Sequence, residues 1–250
     1  HRDTNRLKER WHLWDAPPTP QDLPRFYDID TCVAGTQLAL NLAARHGTRT
    51  HLLHPTTAEE LALLPGHRRV SAAVRPPHLF ADASWYERLG TRAVCIPPLR
   101  GLRHQEALWQ ALQDGRLWIS SGHFPASLAS KDAPLPMTHP GWPTAEWLLP
   151  LLLDAVVRGK CSLQDVARWT AGAPAAGLGL RRKGRLETGF DGDLVLVNLE
   201  ATRTVGVDAP IRTVAGWSPW AGHALTGWPV RTILMGETAW LEGDVRGVHG

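Results

Sequence analysis

Residues 49–77 read RTHLLHPTTAEELALLPGHRRVSAAVRPP, and this stretch contains the pattern that decides the fold. Runs of strand type at 49–54 and 69–74 lie on either side of a helical stretch at 57–64. Proline follows closely after each of these elements, and proline ends regular structure because it fixes φ and lacks an N–H group. Strands that alternate with helices predict a parallel sheet with right-handed crossover connections.

The same alternation continues on both sides of this stretch. Upstream, Leu38, Leu42 and the alanines around them form a helical apolar stripe that ends at Gly47. Residues 1–30 are rich in proline and charge and are predicted to form a loop. Downstream, the sequence predicts strands at 92–96 and 117–121, helices at 81–89, 105–113 and 147–157, and a capping box at 162–165 that opens another helix.

After about Gly189 the pattern changes to β structure. Residues 193–198 alternate apolar and polar positions, and 232–234 and 238–241 flank a predicted hairpin turn at 235–237. The sequence therefore predicts two domains, an α/β part at 1–188 and a small β part at 189–250.

Composition narrows the class of protein. The chain has 250 residues, of which 43% are hydrophobic and 20% charged, as in ordinary globular proteins. The net charge of +3 comes from dispersed basic residues, so we expect no nucleic-acid partner. No apolar run is long enough to cross a membrane, and the residues after His1 have no basic-then-apolar pattern, so we expect neither a membrane span nor a signal peptide. Cys32, Cys95 and Cys161 match no metal or disulfide pattern, so we expect a cytoplasmic protein.

The residues that follow the predicted strands are the candidates for chemistry, because in a β/α barrel that rim carries the active site. His54 ends the strand at 49–54, and His51 lies three positions earlier, on the opposite face. A histidine at a strand end is more often structural than a ligand. Gly122 and His123 follow the strand at 117–121, and glycine offers no side chain for acid–base chemistry.

The order of motifs along the chain resembles a known family. The motifs are H-x-x-H at 51–54, P-P-H-L at 76–79, P-P-L-R at 97–100, G-H-x-P at 122–125, P-G-x-P-x-x-E at 140–146 and G-R-L-x-x-G-x-D-G-D-L-V-L-V at 184–197. This order resembles the later part of a dihydroorotase, one of the metal-dependent cyclic amidohydrolases, which include hydantoinases and allantoinases. The resemblance implies a partial (β/α)₈ TIM-type barrel, formed by its later strands at 1–188, and part of a small C-terminal β-sandwich at 189–250.

The resemblance also implies an active site with zinc, in which several positions are altered. His1, in a segment of the H-x-E/D type, and His54 match family metal ligands. Gly122 stands where the family has an aspartate that is both metal ligand and proton shuttle. Ile96 replaces an asparagine that contacts substrate, and Ala126 replaces a histidine that helps to hold the substrate carboxylate. The H-x-H metal pair belongs to the first half of the barrel, which this chain does not contain.

These departures predict a protein without catalysis. Proton transfer by a positioned group typically contributes about 10²–10⁴-fold in rate, and Gly122 cannot provide it. With His1 and His54 as the remaining ligands we expect weak zinc binding, and the alternative is that Asp3 or His123 replaces a lost ligand. We also expect a structural role in the pyrimidine biosynthesis family. Aspartate transcarbamoylase or a second copy of the chain is the expected partner. The alternatives are an active zinc-dependent hydrolase of cyclic amides with a more apolar site at Ile96 and Ala126, and a piece of a longer protein.

Overall fold

The computed structural model of the chain describes residues 4–11, 17–64 and 69–247. The chain groups into two compact units, one formed by residues 1–145 and 212–219 and the other by residues 146–211 and 220–250. The domain boundary predicted near residue 189 stays a prediction. No helix among the described residues is long and apolar enough to cross a membrane.

The first unit contains a parallel sheet of three strands. These strands are Thr50–Leu53 (β1), Val70–Val74 (β2) and Trp118–Ile119 (β3), with β2 in the centre. Leu52 pairs with Ala72, and Val74 pairs with Ile119. The predicted strands at 49–54, 69–74 and 117–121 are thus confirmed. Because the strands are parallel, the residues that follow them lie at one edge of the sheet.

Helices precede and connect these strands. They are Thr4–Trp11 (α1), Leu23–Phe26 (α2), Ile29–His46 (α3), Ala58–Ala62 (α4), Pro76–Phe80 (α5), Trp85–Leu89 (α6), Leu102–Gln113 (α7) and Leu128–Lys131 (α8), with 3₁₀ turns at Pro20–Asp22 and Gly90–Ala93. The side chain of Asp28 caps α3 by accepting from the N–H of Thr31 at 2.9 Å. Such a cap satisfies a backbone donor at the helix start.

Two predictions for this unit are wrong. Residues 92–96 do not form a strand, because a 3₁₀ turn ends at Ala93 and the next residues pair with no strand. Val94 and Cys95 are buried all the same, and the carbonyl of Val94 accepts from the Lys131 ammonium at 2.7 Å instead of from a neighbouring strand. The apolar residues at 94–95 therefore indicate that this segment is buried, and not that it pairs with another strand. Residues 1–30 are not all loop either: α1 and α2 lie there, and Leu7 and Tyr27 are buried in one cluster.

The second unit combines short helices with an antiparallel sheet. Its elements are a 3₁₀ turn at Ala145–Trp147, whose first residue belongs to the other unit, then Leu148–Val157 (α9), Leu163–Ala167 (α10), a π turn at Arg168–Gly172, Ala173–Leu178 (α11), Leu194–Thr204 (β4), Ala224–Leu234 (β5), Glu237–Leu241 (β6) and Asp244–Val245 (β7). The strands follow chain order in one sheet. The pairing of β5 with β6 confirms the hairpin, and the capping box of Ser162 with Asp165 confirms the predicted helix start. The second layer expected of a β-sandwich stays a prediction.

Helix α9 packs closely on strand β5. A Cβ atom at Gly227, whose φ is +101°, would lie 2.7 Å from Cβ of Leu153. The Asp154 carboxylate accepts from the N–H of Thr226 at 3.0 Å. Glycine at position 227 therefore allows the helix and the strand to approach each other.

Candidate functional site

The carboxyl ends of the three parallel strands bring three residues to one edge of the sheet. His54 follows β1, Arg75 follows β2, and Gly122 lies three residues after β3. The hydrogen bonding between strands continues one residue beyond β1 and β3. The N–H of His54 donates to the carbonyl of Ala73 at 2.8 Å, and the N–H of Ser120 donates to the carbonyl of Val74 at 2.9 Å. In a β/α barrel this edge is where the chemistry takes place.

His54 is a partly buried, neutral side chain. Its Nε2 lies 3.4 Å from Oγ of Ser120. Burial, followed by the charges of Arg75 and His51, lowers the pKa of His54 to about 4. Its φ of +60° is uncommon for a residue with a side chain. A neutral imidazole is the form that binds metal ions, so its protonation state alone permits the ligand role that the resemblance implies.

His51 makes different contacts. Its Nδ1 lies 2.8 Å from Oγ of Ser71, and its ring stacks on Trp118 with the ring centres 4.6 Å apart. These contacts use strand side chains, whereas His54 contacts Ser120 beyond the strand end.

The space beside Gly122 is filled by Arg75. A Cβ atom at position 122 would lie 2.6 Å from Cδ and 2.8 Å from Cβ of Arg75. The φ of Gly122 is +53°, in the left-handed region that favours glycine. Position 122 thus has neither a carboxylate nor room for one in this conformation.

Arg75 is buried and bonded to main-chain carbonyls. Only 4% of it is exposed. Its Nη2 donates to the carbonyl of Ile96 at 2.8 Å and to that of Pro97 at 3.4 Å. Its Nε donates to Nδ1 of His78 at 3.4 Å. Since Nδ1 accepts, the His78 proton lies on Nε2, which donates to the carbonyl of Pro97 at 3.0 Å.

The surroundings of Arg75 and His78 are positively charged. Burial and the charge of Arg75 hold the pKa of His78 well below its usual range. Lys131 is fully buried and donates to the carbonyls of Val94 and His139 at 2.7 and 2.9 Å. Burial lowers the pKa of Lys131 to about 8. Within the described ranges, neither Arg75 nor Lys131 has a carboxylate partner.

The other candidate residues make separate contacts within the protein. The Ile96 carbonyl contacts Arg75, while 39% of the residue is exposed. Ala126 is buried, and its carbonyl accepts from Nε1 of Trp217 at 2.7 Å. His123 accepts two backbone N–H groups on Nδ1, both at 3.1 Å, so this nitrogen is not available to a metal. His1 and Asp3 lie outside the described residues.

The residues that the structure describes do not fit a zinc ion. Among residues 4–11, 17–64 and 69–247, no group of three or more histidine, cysteine or acidic side chains could hold a metal. Catalytic zinc sites use three protein ligands, whereas His54 has a guanidinium nearby and no carboxylate. A fixed positive charge opposes a second cation at short range.

The sequence interpretation did not assign Arg75 or His78 a role. One signal was available: Arg75 is a charged residue between the apolar strand at 70–74 and Pro76. A charged residue at the carboxyl end of a barrel strand lies on the face of the barrel where side chains contact ligands. Its bonds to the Ile96 carbonyl and to His78 depend on tertiary structure.

Comparison with curated proteins gives relatives over nearly the whole chain. A dihydroorotase of Halobacterium salinarum is 35% identical over 233 residues, which cover 92% of this chain and 52% of that protein. An allantoinase of Streptomyces avermitilis is 30% identical over 93% of this chain and 54% of that protein. The chain thus spans about half the length of the curated relatives it matches. No family model matches the chain.

Solved structures show the same kind of fold. An L-hydantoinase of Arthrobacter aurescens aligns with a TM-score of 0.88 at 23% identity, over 97% of this chain and 55% of that one. An inactive dihydroorotase-like domain of a CAD-like multifunctional protein from Chaetomium thermophilum aligns with a TM-score of 0.60 at 26% identity, over 84% of this chain and 56% of that one. At 23% identity, the similarity to the L-hydantoinase concerns the fold alone.

Proposed function

The chain is a dihydroorotase-like member of the amidohydrolase superfamily, and from this premise we propose that it does not catalyse hydrolysis and acts as a structural protein. The observation that carries the proposal is the packing of Arg75 into the side-chain space of Gly122. A cation lies where the resemblance requires an acid.

The chemistry of amide hydrolysis explains why this exchange matters. A base must take a proton from the attacking water, and an acid must give one to the leaving nitrogen. Gly122 has no side chain, and the Arg75 guanidinium cannot give up its proton in a protein. His54 is neutral, but with a pKa of about 4 it is a weak base near neutral pH.

Loss of the metal centre belongs to the same proposal. In the family a bound zinc ion supplies the activated water. Here Arg75 is fixed by the carbonyls of Ile96 and Pro97 close to His54, and its charge lowers the pKa of that histidine. We expect the protein to bind zinc weakly at this edge of the sheet.

The structural role that we propose is assembly with aspartate transcarbamoylase in the cytoplasm, as part of pyrimidine biosynthesis. One solved structure similar to this chain is described as an inactive dihydroorotase-like domain of a multifunctional protein. Leu38 and Leu42 lie one turn apart on α3 and are 60% and 47% exposed, and exposed apolar pairs of this kind suit an interface. Co-elution of the purified proteins tests this role, and self-association of the chain is the other outcome.

Turnover assays test the absence of catalysis. Full-length protein with added zinc is given dihydroorotate, carbamoyl aspartate, hydantoin and allantoin, with the Halobacterium salinarum dihydroorotase as the active control. We expect no turnover above the rate without protein. Turnover that His54→Ala abolishes contradicts the proposal, and turnover of hydantoin alone favours an active hydrolase with an altered site.

A further inference from the structure

A cavity of about 140 Å³ lies in the first unit, and His54, Arg75 and Gly122 do not line it. Its walls come from α1 and α2 and from the loops around residues 94–98 and 135–138. The side chains at the cavity are mainly apolar and include Leu7, Leu23, Phe26, Val94 and Ile96.

The polar side chains at this cavity have partners within the protein. The thiol of Cys95 donates to the carbonyl of Pro97 at 3.3 Å. The hydroxyl of Thr138 donates to the carbonyl of Ala133. None of the described residues that line the cavity has a charged side chain. A charged ligand would lose its hydration there without compensation from these residues.

The size and access of the cavity suit a small ring. An engineered apolar cavity of about 150 Å³ in another protein stays dry and binds benzene. Ile96 lines the cavity and is 39% exposed, so one wall reaches solvent. We propose that this cavity is a binding site for a small uncharged ring of about six heavy atoms.

Benzene and benzoate are the probes, because they share a ring and differ in charge. The full-length protein is titrated with each, and the methyl resonances of Val94 and Ile96 are followed by NMR. We expect saturable shifts with benzene, cross-relaxation between benzene and the Val94 methyl groups, and affinity for benzoate at least about tenfold lower. Absence of shifts with benzene, or equal affinity for benzoate, overturns the proposal.

A matched pair of variants locates the site. Leu23→Trp puts a larger ring on a cavity wall, and Leu102→Trp makes the same change at an exposed residue of α7 that does not line the cavity. We expect Leu23→Trp to weaken benzene binding at least about tenfold and Leu102→Trp to leave it unchanged. Equal binding by both variants overturns the proposal. If Leu23→Trp does not fold, the cross-relaxation in the unmodified protein decides the question.

Discussion

Arg75 is a cation that the fold buries with carbonyl oxygens as partners. Burying a charge is costly unless hydrogen bonds compensate it, and bonds from a charged donor are stronger than neutral ones. The planar guanidinium suits the role, because it reaches two carbonyls and His78 at once. Arg75 therefore holds the loop at Ile96 and Pro97 against the end of β2.

The contact between Arg75 and Gly122 predicts the effect of placing an acid at position 122. Gly122→Asp places a Cβ atom 2.6 Å from Cδ of Arg75, whereas Gly159→Asp meets no atom within 4 Å. Both glycines have positive φ, +53° and +72°, so both variants carry a backbone strain of about 1–2 kcal/mol. We expect Gly122→Asp to be destabilised by about 1–3 kcal/mol more than Gly159→Asp, as measured by urea unfolding. Equal losses contradict the packing described.

The buried histidines predict how stability depends on pH. The pKa of His54 falls from 6.5 to about 4, mainly through burial. Between these values the unfolded chain binds a proton that the folded chain does not, so the free energy of unfolding decreases as the pH falls from about 6.5 toward 4. The full shift corresponds to about 3 kcal/mol. His78 acts in the same direction.

Urea unfolding at a series of pH values measures this effect. We expect His54→Gln to flatten the decrease in stability below pH 6.5. An unchanged slope in His54→Gln shows that His54 is not desolvated in the folded protein.

At the scale of elements, the sequence predicted regular structure better than the loops between elements. The strands at 49–54 and 69–74 were predictable because apolar runs end at nearby prolines. The run at 92–96 has similar residues, yet Lys131 binds the Val94 carbonyl there instead of a neighbouring strand. Only tertiary structure brings that ammonium to the loop.

The candidate site was predictable in part for the same reason. Gly122 and His54 were identified from their positions after strands, whereas Arg75 was not identified, because its contacts with Gly122 and the Ile96 carbonyl lie far apart in sequence. A charged residue at a strand end predicts the rim but not its partners.

The packing of α9 on β5 predicts a stability difference between two glycines. Gly227→Ala places its methyl group 2.7 Å from Cβ of Leu153, while Gly236→Ala meets no atom within 4 Å. Both have positive φ, +101° and +86°, so the steric contact is the main difference. We expect Gly227→Ala to lose about 1–3 kcal/mol more in urea unfolding. Equal stability of the two variants contradicts the close approach of α9 to β5.

At the scale of the whole molecule, the chain corresponds to about half of the curated relatives it matches. In the described part of the first unit, β1 and β3 are the edges of the parallel sheet. Unpaired strand edges favour association with another strand. Experiments on activity and assembly therefore use the full-length protein.

Anomalous diffraction at the zinc absorption edge, from crystals of the full-length protein grown with zinc chloride, tests most directly whether Arg75 takes the place of a metal centre. We expect electron density for Arg75 against the Ile96 carbonyl and no zinc peak bonded to His54. A zinc peak about 2.1 Å from Nε2 of His54, with Arg75 displaced from Gly122, would contradict the proposed loss of the catalytic site.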